Sequence, residues 1–475
     1  MTAPSFAFLA FALVVIGLFH IRATHRWRQG VLLAGNFAFI TSFAESPAAL
    51  VPYAGFLLLG AVGIAARRTL GAWSAWVFPL LTLIMFVWLK RYLFVPKELL
   101  LPEGYLLVGL SYVFFRVMHL VIDGWESMPR GSSGWVSYVN YTLNFTSLIS
   151  GPIQRYDDYQ RSEQATKRLT RAETRLAVER VIKGFFKVYI VSVLLDMAHQ
   201  SQIETFSSGD SGAQILRAAA LTAGYPIYLY FNFSGYTDFV IGVARFLHIE
   251  LPENFDRPFA ARNFIAFWSR WHMSLSNWLK TYVYNTTMLA MMRRSRSPQM
   301  EPFIAVAAYF LTFFLVGVWH GQTSEFVFFG ILQGGGVAAN KLYQIGMARA
   351  LGRKGYNQLA KNVVYAMLTR GLTFTWFAFT LLWFWSSWSQ LEGFARSMGL
   401  GPVAIAFALI LGGATVGLEA LDRLSAWIRA RTLWGNSLAD SPYVRLTLTL
   451  GMFVILAFAA LTINAPPSQV VYQVF

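Results

Sequence analysis

Residues 302–321 have the sequence PFIAVAAYFLTFFLVGVWHG, an apolar run in which His320 is the one side chain that can carry a charge near neutral pH. The hydrocarbon core of a bilayer is about 30 Å thick and needs about 20 apolar residues for one helical crossing. The run has this length and therefore predicts a transmembrane helix. His320 at its end is unusual, because an ionisable side chain at membrane depth costs about 2.5 to 3.5 kcal/mol on insertion scales.

Comparable apolar stretches recur along the whole chain. Of its 475 residues, 56% are hydrophobic and 13% are charged, whereas soluble domains contain about 25% charged residues. The candidate segments are 4–20, 31–44, 49–66, 71–89, 104–122, 136–153, 181–198, 213–231, 233–248, 302–320, 326–340, 371–388, 401–419 and 446–463. Some are short, so we expect about 11 to 13 crossings, with the other segments re-entrant or interfacial. The sequence predicts an all-α, multi-pass protein with a single membrane domain over residues 1–475.

The basic residues are distributed as in a membrane protein. The formal net charge is +16, which in a soluble protein would suggest nucleic acid as a partner. Here many lysines and arginines lie in short loops between apolar segments, at 67–68, 90–91, 293–296 and 349–354. The positive-inside rule and anionic lipid head groups explain this pattern, so we expect membrane lipid and no nucleic acid as a partner.

The first apolar segment has no basic stretch before it and is followed directly by Arg22, Arg26 and Arg28. A cleaved signal peptide has the opposite arrangement, with its basic residues first. We therefore expect a retained membrane anchor whose N-terminus faces outward and whose residues 21–30 face the cytoplasm.

The residue content limits the possible chemistry. The chain contains no cysteine, which excludes disulfides, thiolate metal sites and a cysteine nucleophile. Its seven histidines are scattered, and no His/Glu pair has metal-ligand spacing on one helix. We therefore expect no bound metal, and any covalent chemistry must use other groups.

His320 is the most unusual of the candidate residues. Gly317 and Gly321 flank the Trp319-His320 pair and leave room for backbone or a ligand to approach closely. An imidazole titrates near neutrality and can take a proton from a hydroxyl. On position alone, a buried histidine hydrogen-bonded to a neighbouring helix is the simpler interpretation.

Other polar groups also lie within apolar segments. Arg116 and His119 are three residues apart on one helix face, and pairing with another helix is the simpler interpretation for both. Ser234, Thr237 and Asp238 form one polar patch at helical spacing. A cavity wall and a polar contact between two packed helices explain this patch equally well.

Three polar segments interrupt the apolar pattern, at residues 154–183, 250–300 and 354–369, and nothing in the last of them suggests chemistry. Residues 150–156 (SGPIQRY) break a helix within or beside the membrane, where irregular backbone is tolerated only if it is buried or lines a cavity. Residues 172–181 have helical spacing and predict a cytoplasmic helix that leads into the next crossing. Within residues 250–300, an aromatic and apolar stripe recurs at steps of three and four, at Phe264, Trp268, Trp271, Leu275, Trp278 and Tyr282. We expect one helix there, interfacial or folded back into the protein, with its tryptophans near the head groups and His272 beside the stripe.

Taken in order, these residues resemble the membrane-bound O-acyltransferase family. The resemblance covers residues 101–345, which we expect to form the catalytic core. It rests on the motifs at 150–156, 231–238, 252–258 (PENFDRP), 267–276 (FWSRWHMSLS) and 317–321 (GVWHG). Each motif alone is weak, but their joint occurrence in this order is specific. The chain looks most like the bacterial branch that contains the alginate O-acetylation protein AlgI and the D-alanyl transfer protein DltB.

The resemblance implies a fold, an activity and a location. The fold is a ring of tilted helices around a central funnel in the bacterial plasma (inner) membrane. The activity is transfer of an acyl group, acetyl or D-alanyl, from a cytoplasmic thioester toward hydroxyls of an extracytoplasmic polysaccharide or cell-envelope polymer. The donor would be acyl-CoA or a phosphopantetheinyl acyl carrier protein as co-substrate, with no bound cofactor. A separate extracytoplasmic acyltransferase partner would complete delivery to the polymer.

The same resemblance implies roles for individual residues. His320 is expected to be the catalytic general base, and His272 is expected to support it. The candidates for the substrate funnel are Trp319, Asp238, Ser234, Asn232, Arg270, Trp271, Ser274, Gln154 and Arg155. Two positions depart from the family pattern, because Asn232 stands where many relatives have Asp and Gln333 stands where relatives often have a further histidine.

Two hypotheses from other classes remain open at this point. A transporter or flippase for an envelope precursor would use Arg116, His119 and Asp238 to line a substrate path. It predicts inverted repeats or paired interrupted helices, and neither is detected in the sequence. A structural membrane scaffold would use the histidines only for packing.

Overall fold

The computed structural model describes residues 3–101, 105–165, 169–206, 210–295, 297–433, 436–437 and 441–462. Arg296 of the basic 293–296 loop and the segment ends at residues 104 and 463 lie outside this part of the chain. The described residues are mostly helical. Among them, the two-residue strands Thr432–Leu433 and Asn436–Ser437 pair in antiparallel fashion. The predicted all-α class is thus confirmed.

The described residues form two compact units. The first draws on Met1–Ile190, Asn232–Glu253 and Ala459–Phe475, and the second on Val191–Phe231 and Asn254–Phe458. Eight α-helices of the first unit precede residue 190: α1 (Phe6–Ile21), α2 (His25–Thr41), α3 (Val51–Thr69), α4 (Ser74–Leu89), α5 (Leu110–His119), α6 (Ser132–Thr142), α7 (Tyr156–Gln164) and α8 (Arg171–Phe186). The remaining helices are α9 (Val193–Glu204), α10 (Ser211–Phe246), α11 (Phe264–Trp268), α12 (Met273–Leu279), α13 (Asn285–Arg294), α14 (Glu301–His320), α15 (Ser324–Leu359), α16 (Val363–Thr380), α17 (Leu382–Trp385), α18 (Trp388–Met398), α19 (Leu400–Ala430) and α20 (Pro442–Thr462). Helices α10 and α20 contribute residues to both units.

Several helices have the length and composition of membrane spans. Among the described residues, four qualify, namely Pro47–Thr69, Pro298–His320, Leu400–Ala430 and Pro442–Leu461, and two shorter apolar helices are α1 and α4. These helices support a multi-pass membrane protein. The count of 11 to 13 crossings and the ring around a funnel stay predictions.

The prediction of two separate segments at 213–231 and 233–248 is wrong. The structure has one continuous helix, α10, of 36 residues. Its polar patch lies within the helix, and a cation from another element neutralises the patch. The Lys187 ammonium, just after α8, donates to Ser234 Oγ at 3.1 Å and to Asp238 Oδ2 at 2.7 Å.

The prediction of one helix along the aromatic stripe of residues 264–282 is also wrong. Helices α11 and α12 are separate, and His272 between them has φ +46°. A left-handed residue cannot continue a right-handed helix. An antiparallel bridge between Phe255 and Trp271 holds the break in place. Trp268 and Trp271 are buried, so this part of the stripe is folded back into the protein.

Arg116 and His119 have the structural pairing that their position predicted. Arg116 Nη1 donates to the Thr142 carbonyl at 3.0 Å, and its Nη2 donates to the Ser147 carbonyl and hydroxyl, both at 2.7 Å. His119 Nε2 accepts the Tyr156 N–H at 3.1 Å. These bonds tie α5 to the irregular segment that follows α6, and they satisfy the donors of a buried guanidinium that would otherwise be costly.

The core of the first unit is aromatic. The Phe8 ring lies 5.4 Å from Phe39, 5.9 Å from Phe145 and 5.6 Å from Phe239, measured between ring centroids. All four rings are buried. Such tilted and edge-on pairs contribute about 0.5–1.5 kcal/mol each beyond the burial of their area. The cluster therefore joins α1, α2 and α10 to the segment after α6.

Helices α14 and α15 form a closely packed hairpin in the second unit. A Cβ atom added to Gly317 would lie 2.2 Å from Gly330 Cα, and one added to Gly334 would lie 2.6 Å from the Phe310 carbonyl oxygen. Only glycine allows backbones to approach so closely. The space that the sequence left open for backbone or ligand at Gly317 is therefore filled by the backbone of α15.

Candidate functional site

His320 is the last residue of α14 and is buried. The centroid of its imidazole ring lies 5.1 Å from that of Phe384 and 6.1 Å from that of Phe329. The next residue, Gly321, is extended, and a Cβ atom there would lie 2.0 Å from the Phe326 ring. Two aromatic rings and a turn without room for a side chain therefore fix the position of the imidazole.

Trp319 links His320 to His272. The centroid of its indole lies 4.7 Å from that of the His320 ring and 6.3 Å from that of the His272 ring. All three residues belong to the second unit. The structure thus brings the two histidines singled out by the resemblance to the same indole.

His272 is buried, and it precedes the first residue of α12. It lies outside the apolar spans, and burial lowers the pKa of its imidazole to about 3. The ring is therefore neutral at pH 7 and retains one nitrogen lone pair that can accept a proton. Its left-handed backbone is a conformation that costs of order 1–3 kcal/mol and persists only where the surroundings enforce it.

Asn254 holds the backbone at His272 in this conformation. It was not among the predicted site residues. Its carbonyl accepts the Met273 N–H at 3.0 Å, and its side-chain Oδ1 accepts the Ser274 N–H at 3.1 Å. The two bonds hold both residues that follow His272. Asn254 belongs to the 252–258 motif, but an asparagine's bonding partner cannot be inferred from its residue type.

The three other candidates in this unit have different surroundings. Trp271 is a core residue, because its ring stacks on Phe267 at 5.6 Å and packs against Phe377 at 5.0 Å. Arg270 is half-buried and lines a cavity of about 360 Å³. Ser274 is buried at the start of α12.

A second cavity in this unit is apolar. It has a volume of about 530 Å³, and Trp383 and Trp385 are among its lining residues. These two tryptophans flank Phe384, which contacts His320. Among the described residues, both indole N–H groups are buried without a hydrogen-bond partner.

The candidates Asp238 and Ser234 belong to the first unit. Asp238 accepts hydrogen bonds from Arg180 Nε at 3.0 Å and from Lys187 Nζ at 2.7 Å, and Arg180 also pairs with Glu253. Of the two interpretations of this polar patch, a contact between packed elements is the one observed within this unit. The sequence offered no means to find Arg180 and Lys187, which lie 58 and 51 residues away. Any role of Asp238 and Ser234 in substrate binding stays a prediction.

The remaining candidates are also in the first unit. Gln154 lies in buried, non-helical backbone, as its segment predicted, and its Nε2 donates to the Glu250 carbonyl at 2.8 Å. Asn232 is fully buried within α10. Arg155 is exposed and immediately precedes α7. The described residues contain no group of three or more His, Asp or Glu side chains that could hold a metal.

Comparison with known proteins gives a consistent result. The model of the MBOAT, membrane-bound O-acyltransferase family, matches residues 68–388. A teichoic acid D-alanyltransferase of Bacillus subtilis is 29% identical over 228 residues, which are 47% of this chain and 56% of that protein. A probable alginate O-acetylase AlgI of Pseudomonas syringae pv. tomato is 31% identical over 251 residues, which are 52% of this chain and 44% of that protein.

The chain spans about half the length of the curated relatives that it matches. The family match, in contrast, covers well over half of this chain and contains His272 and His320. The protein belongs to the membrane-bound O-acyltransferase family.

Proposed function

We propose that this protein is a membrane-bound O-acyltransferase that passes an acetyl or D-alanyl group from a cytoplasmic thioester toward hydroxyls of an extracytoplasmic polysaccharide or cell-envelope polymer. The observation that carries the proposal is the contact of Trp319 with both His320 and His272. The two relatives compared above are named for D-alanyl transfer to teichoic acid and for alginate O-acetylation. Family membership and these names support the reaction class.

In the proposed reaction His320 is the general base. Its imidazole removes the proton of the acceptor hydroxyl as the oxygen attacks the thioester carbonyl. A C–O bond forms, the C–S bond breaks, and the thiolate leaves with the proton returned by the imidazolium. A positioned base contributes about 10²- to 10⁴-fold to such a step. The surrounding rings of Phe384 and Phe329 exclude water and keep the imidazole in one orientation.

His272 would support this chemistry as a neutral group. Burial lowers the pKa of His272 to about 3, so at pH 7 it can donate one hydrogen bond and accept another without carrying charge. Asn254 and the strained backbone set the place of His272 from a separate stretch of chain. Precise placement matters, because a misplacement of about 1 Å can cost about 10²-fold in rate.

The donor, the acceptor and the location belong to the same proposal. The donor would be acyl-CoA or a phosphopantetheinyl acyl carrier protein, and the membrane would be the bacterial plasma (inner) membrane. A separate extracytoplasmic partner would complete delivery to the polymer. The funnel residues Gln154, Arg155, Asn232, Ser234 and Asp238 stay candidates for substrate contact.

The transporter alternative is less well supported. It needs Arg116, His119 and Asp238 on a substrate path. Arg116 instead donates to the Thr142 and Ser147 carbonyls, and Asp238 binds Arg180 and Lys187. Because protein partners already satisfy these groups, the acyltransferase proposal explains more of the observations.

Mass spectrometry of the envelope polymer tests the proposal. Polymer from cells with the protein should exceed polymer from cells without it by one acetyl or one alanyl unit per modified site. The size of the difference identifies the acyl group. Polymers of equal mass from both strains, with the protein present in the membrane of the first, would contradict the proposal.

A further inference from the structure

A cavity of about 360 Å³ in the second unit has a strongly basic lining. The charged residues that line it are Arg257, Arg262, Arg270, Arg370 and Asp422. Its volume falls in the range of about 300–1,000 Å³ that is typical of small-molecule sites. Four guanidinium groups around one cavity repel each other unless anions neutralise them, so their partners decide what the cavity can bind.

One of the four arginines is already neutralised. Arg370 is buried, its Nη1 donates to Glu419 Oε2 at 2.9 Å, and its Nη2 donates to Asp422 Oδ2 at 3.2 Å. The carboxylate of Asp422, which lines the cavity, is therefore already paired with Arg370. Arg370 Nε is buried and has no hydrogen-bond partner among the described residues.

The other three arginines are weakly paired. Within the part of the chain that the structure describes, the guanidinium groups of Arg262 and Arg270 have no hydrogen bond or ion pair. Arg257 Nε lies 3.7 Å from Asp256 Oδ1, and both side chains are more than half exposed. Exposed pairs of this kind are weak, because water screens the two charges and holding both side chains in place costs entropy. The cavity therefore retains positive charge that an anionic ligand could neutralise.

The backbone holds two of these arginines on neighbouring segments. The Asp256 N–H donates to the Arg270 carbonyl at 3.0 Å, beside the bridge between Phe255 and Trp271. Arg257 then adopts φ +45°, a left-handed conformation that is strained for a residue with a side chain. Strained residues persist where the surrounding structure enforces them, and they cluster at ligand clamps. The hydrogen bond and the bridge thus hold the backbones of Arg257 and Arg270 beside one cavity.

We propose that this cavity binds a phosphate group. The planar fork of arginine matches phosphate oxygens in bidentate fashion, and all four basic residues that line the cavity are arginines. A phosphate with one or two negative charges would neutralise part of the excess charge of Arg257, Arg262 and Arg270. Two sources have this chemistry, namely the phosphopantetheine arm of a soluble thioester donor and the head group of an anionic bilayer lipid. The first source rests on the proposed function, and the second does not.

The test uses the full chain in phosphatidylcholine nanodiscs and two ligands that differ in phosphate. Coenzyme A carries the phosphopantetheine arm, and pantetheine has the same thiol without phosphate. Calorimetric titration compares the wild type with a double variant, Arg257→Gln with Arg262→Gln. The matched control is Arg293→Gln with Arg294→Gln, which removes two exposed charges of the same unit outside the cavity.

For a donor phosphate, the cavity variant should bind coenzyme A at least about tenfold more weakly, because it loses charge-assisted hydrogen bonds to the phosphate. Pantetheine binding should not change, and the control should bind like the wild type. For a lipid phosphate, coenzyme A binding should be equal in all three proteins. The cavity variant alone should then retain less phosphatidylglycerol relative to phosphatidylcholine, as measured by native mass spectrometry of protein from mixed nanodiscs.

The proposal is overturned if the cavity variant matches the control in both arms, or if it loses pantetheine binding as strongly as coenzyme A binding. Thermal unfolding midpoints of all three proteins check that they are folded. If the double variant is unfolded, the single variant Arg262→Gln, which changes an exposed side chain, replaces it. Binding is measured without turnover, so failure of the acyl-transfer proposal would leave this result interpretable.

Discussion

The close contact between α14 and α15 predicts the effect of Gly317→Ala. The new Cβ would lie 2.2 Å from Gly330 Cα and 2.3 Å from Gly330 N, both backbone atoms of the facing helix. Carbon atoms in good contact are about 3.5–4.0 Å apart. The two helices must therefore separate locally by more than about 1 Å, because no flexible side chain can move away instead.

The expected cost can be estimated from two opposing effects. Overpacking of a close-packed core costs about 1–3 kcal/mol, and the rigid backbone at this contact places Gly317→Ala at the upper end. The higher helix propensity of alanine returns about 0.8–1.0 kcal/mol. The net loss in the free energy of unfolding is then about 2 kcal/mol. His320 lies three residues later on the same helix, so its displacement should also slow acyl transfer by about tenfold to a hundredfold.

Gly335→Ala on α15 is the matched control. A Cβ atom there meets no atom within 4 Å, so only the gain in helix propensity remains. Purified variants in detergent would be compared by thermal unfolding followed with tryptophan fluorescence, together with modification of the envelope polymer in cells. The two midpoints should differ by roughly 3–6 °C, with Gly317→Ala the lower. Equal midpoints and equal modification would refute the close packing and its link to His320.

Three further predictions concern single groups. Asp238→Asn removes the carboxylate that Arg180 and Lys187 share, and it should lower the free energy of unfolding by about 2–3 kcal/mol in chemical denaturation, because Lys187 loses this carboxylate while Arg180 keeps Glu253. Asn254→Ala removes the acceptor for the Ser274 N–H and should lower the free energy of unfolding by about 1–2 kcal/mol. An unchanged free energy of unfolding would show that Asn254 has no structural role. Because the pKa of His272 is lowered in the folded protein, this imidazole binds a proton at a higher pH in the unfolded chain than in the folded one. The free energy of unfolding should therefore fall from about pH 6.5 toward pH 3. His272→Gln should show a weaker fall over that range in thermal unfolding at each pH, and identical pH profiles would contradict the burial of a neutral imidazole.

The parts of the fold that were predictable are those set by local sequence. The apolar run from Pro302 predicted a crossing, and α14 begins at Glu301 and ends at His320. Residues 172–181 likewise lie within α8, whose start is capped by Thr170 and Glu173. Hydropathy and capping act within a few residues, so they can be recognised in one sequence.

The parts that were missed depend on distant residues. Residues 213–231 and 233–248 looked like two segments, but they form the single helix α10, and Arg180 and Lys187 neutralise its polar patch at Asp238. The aromatic stripe looked like one helix, but the bridge from Phe255 to Trp271 breaks it at His272. Spacing alone shows neither a cation more than 50 residues away nor a bridge from a preceding segment.

The candidate site shows the same division. The motif around His320 was recognisable, and so was the association of that histidine with His272 through the family resemblance. The rings that hold His320, the indole that links the two histidines and the asparagine that fixes His272 come from tertiary packing. Trp319 and Asn254 lay within recognised motifs, but residue type does not reveal the partners of either side chain, and phenylalanines such as Phe329 and Phe384 are common in any apolar core.

Thiol release by the purified protein tests whether His320 carries out acyl transfer. Wild-type protein would be given thioester donor, the extracytoplasmic partner and acceptor polymer beside His320→Ala and His199→Ala, the latter removing another buried imidazole of the same unit. We predict that His320→Ala loses at least about 10²-fold in rate while it keeps its unfolding midpoint, and that His199→Ala stays active. Full activity of a folded His320→Ala variant would show that His320 is not the catalytic base.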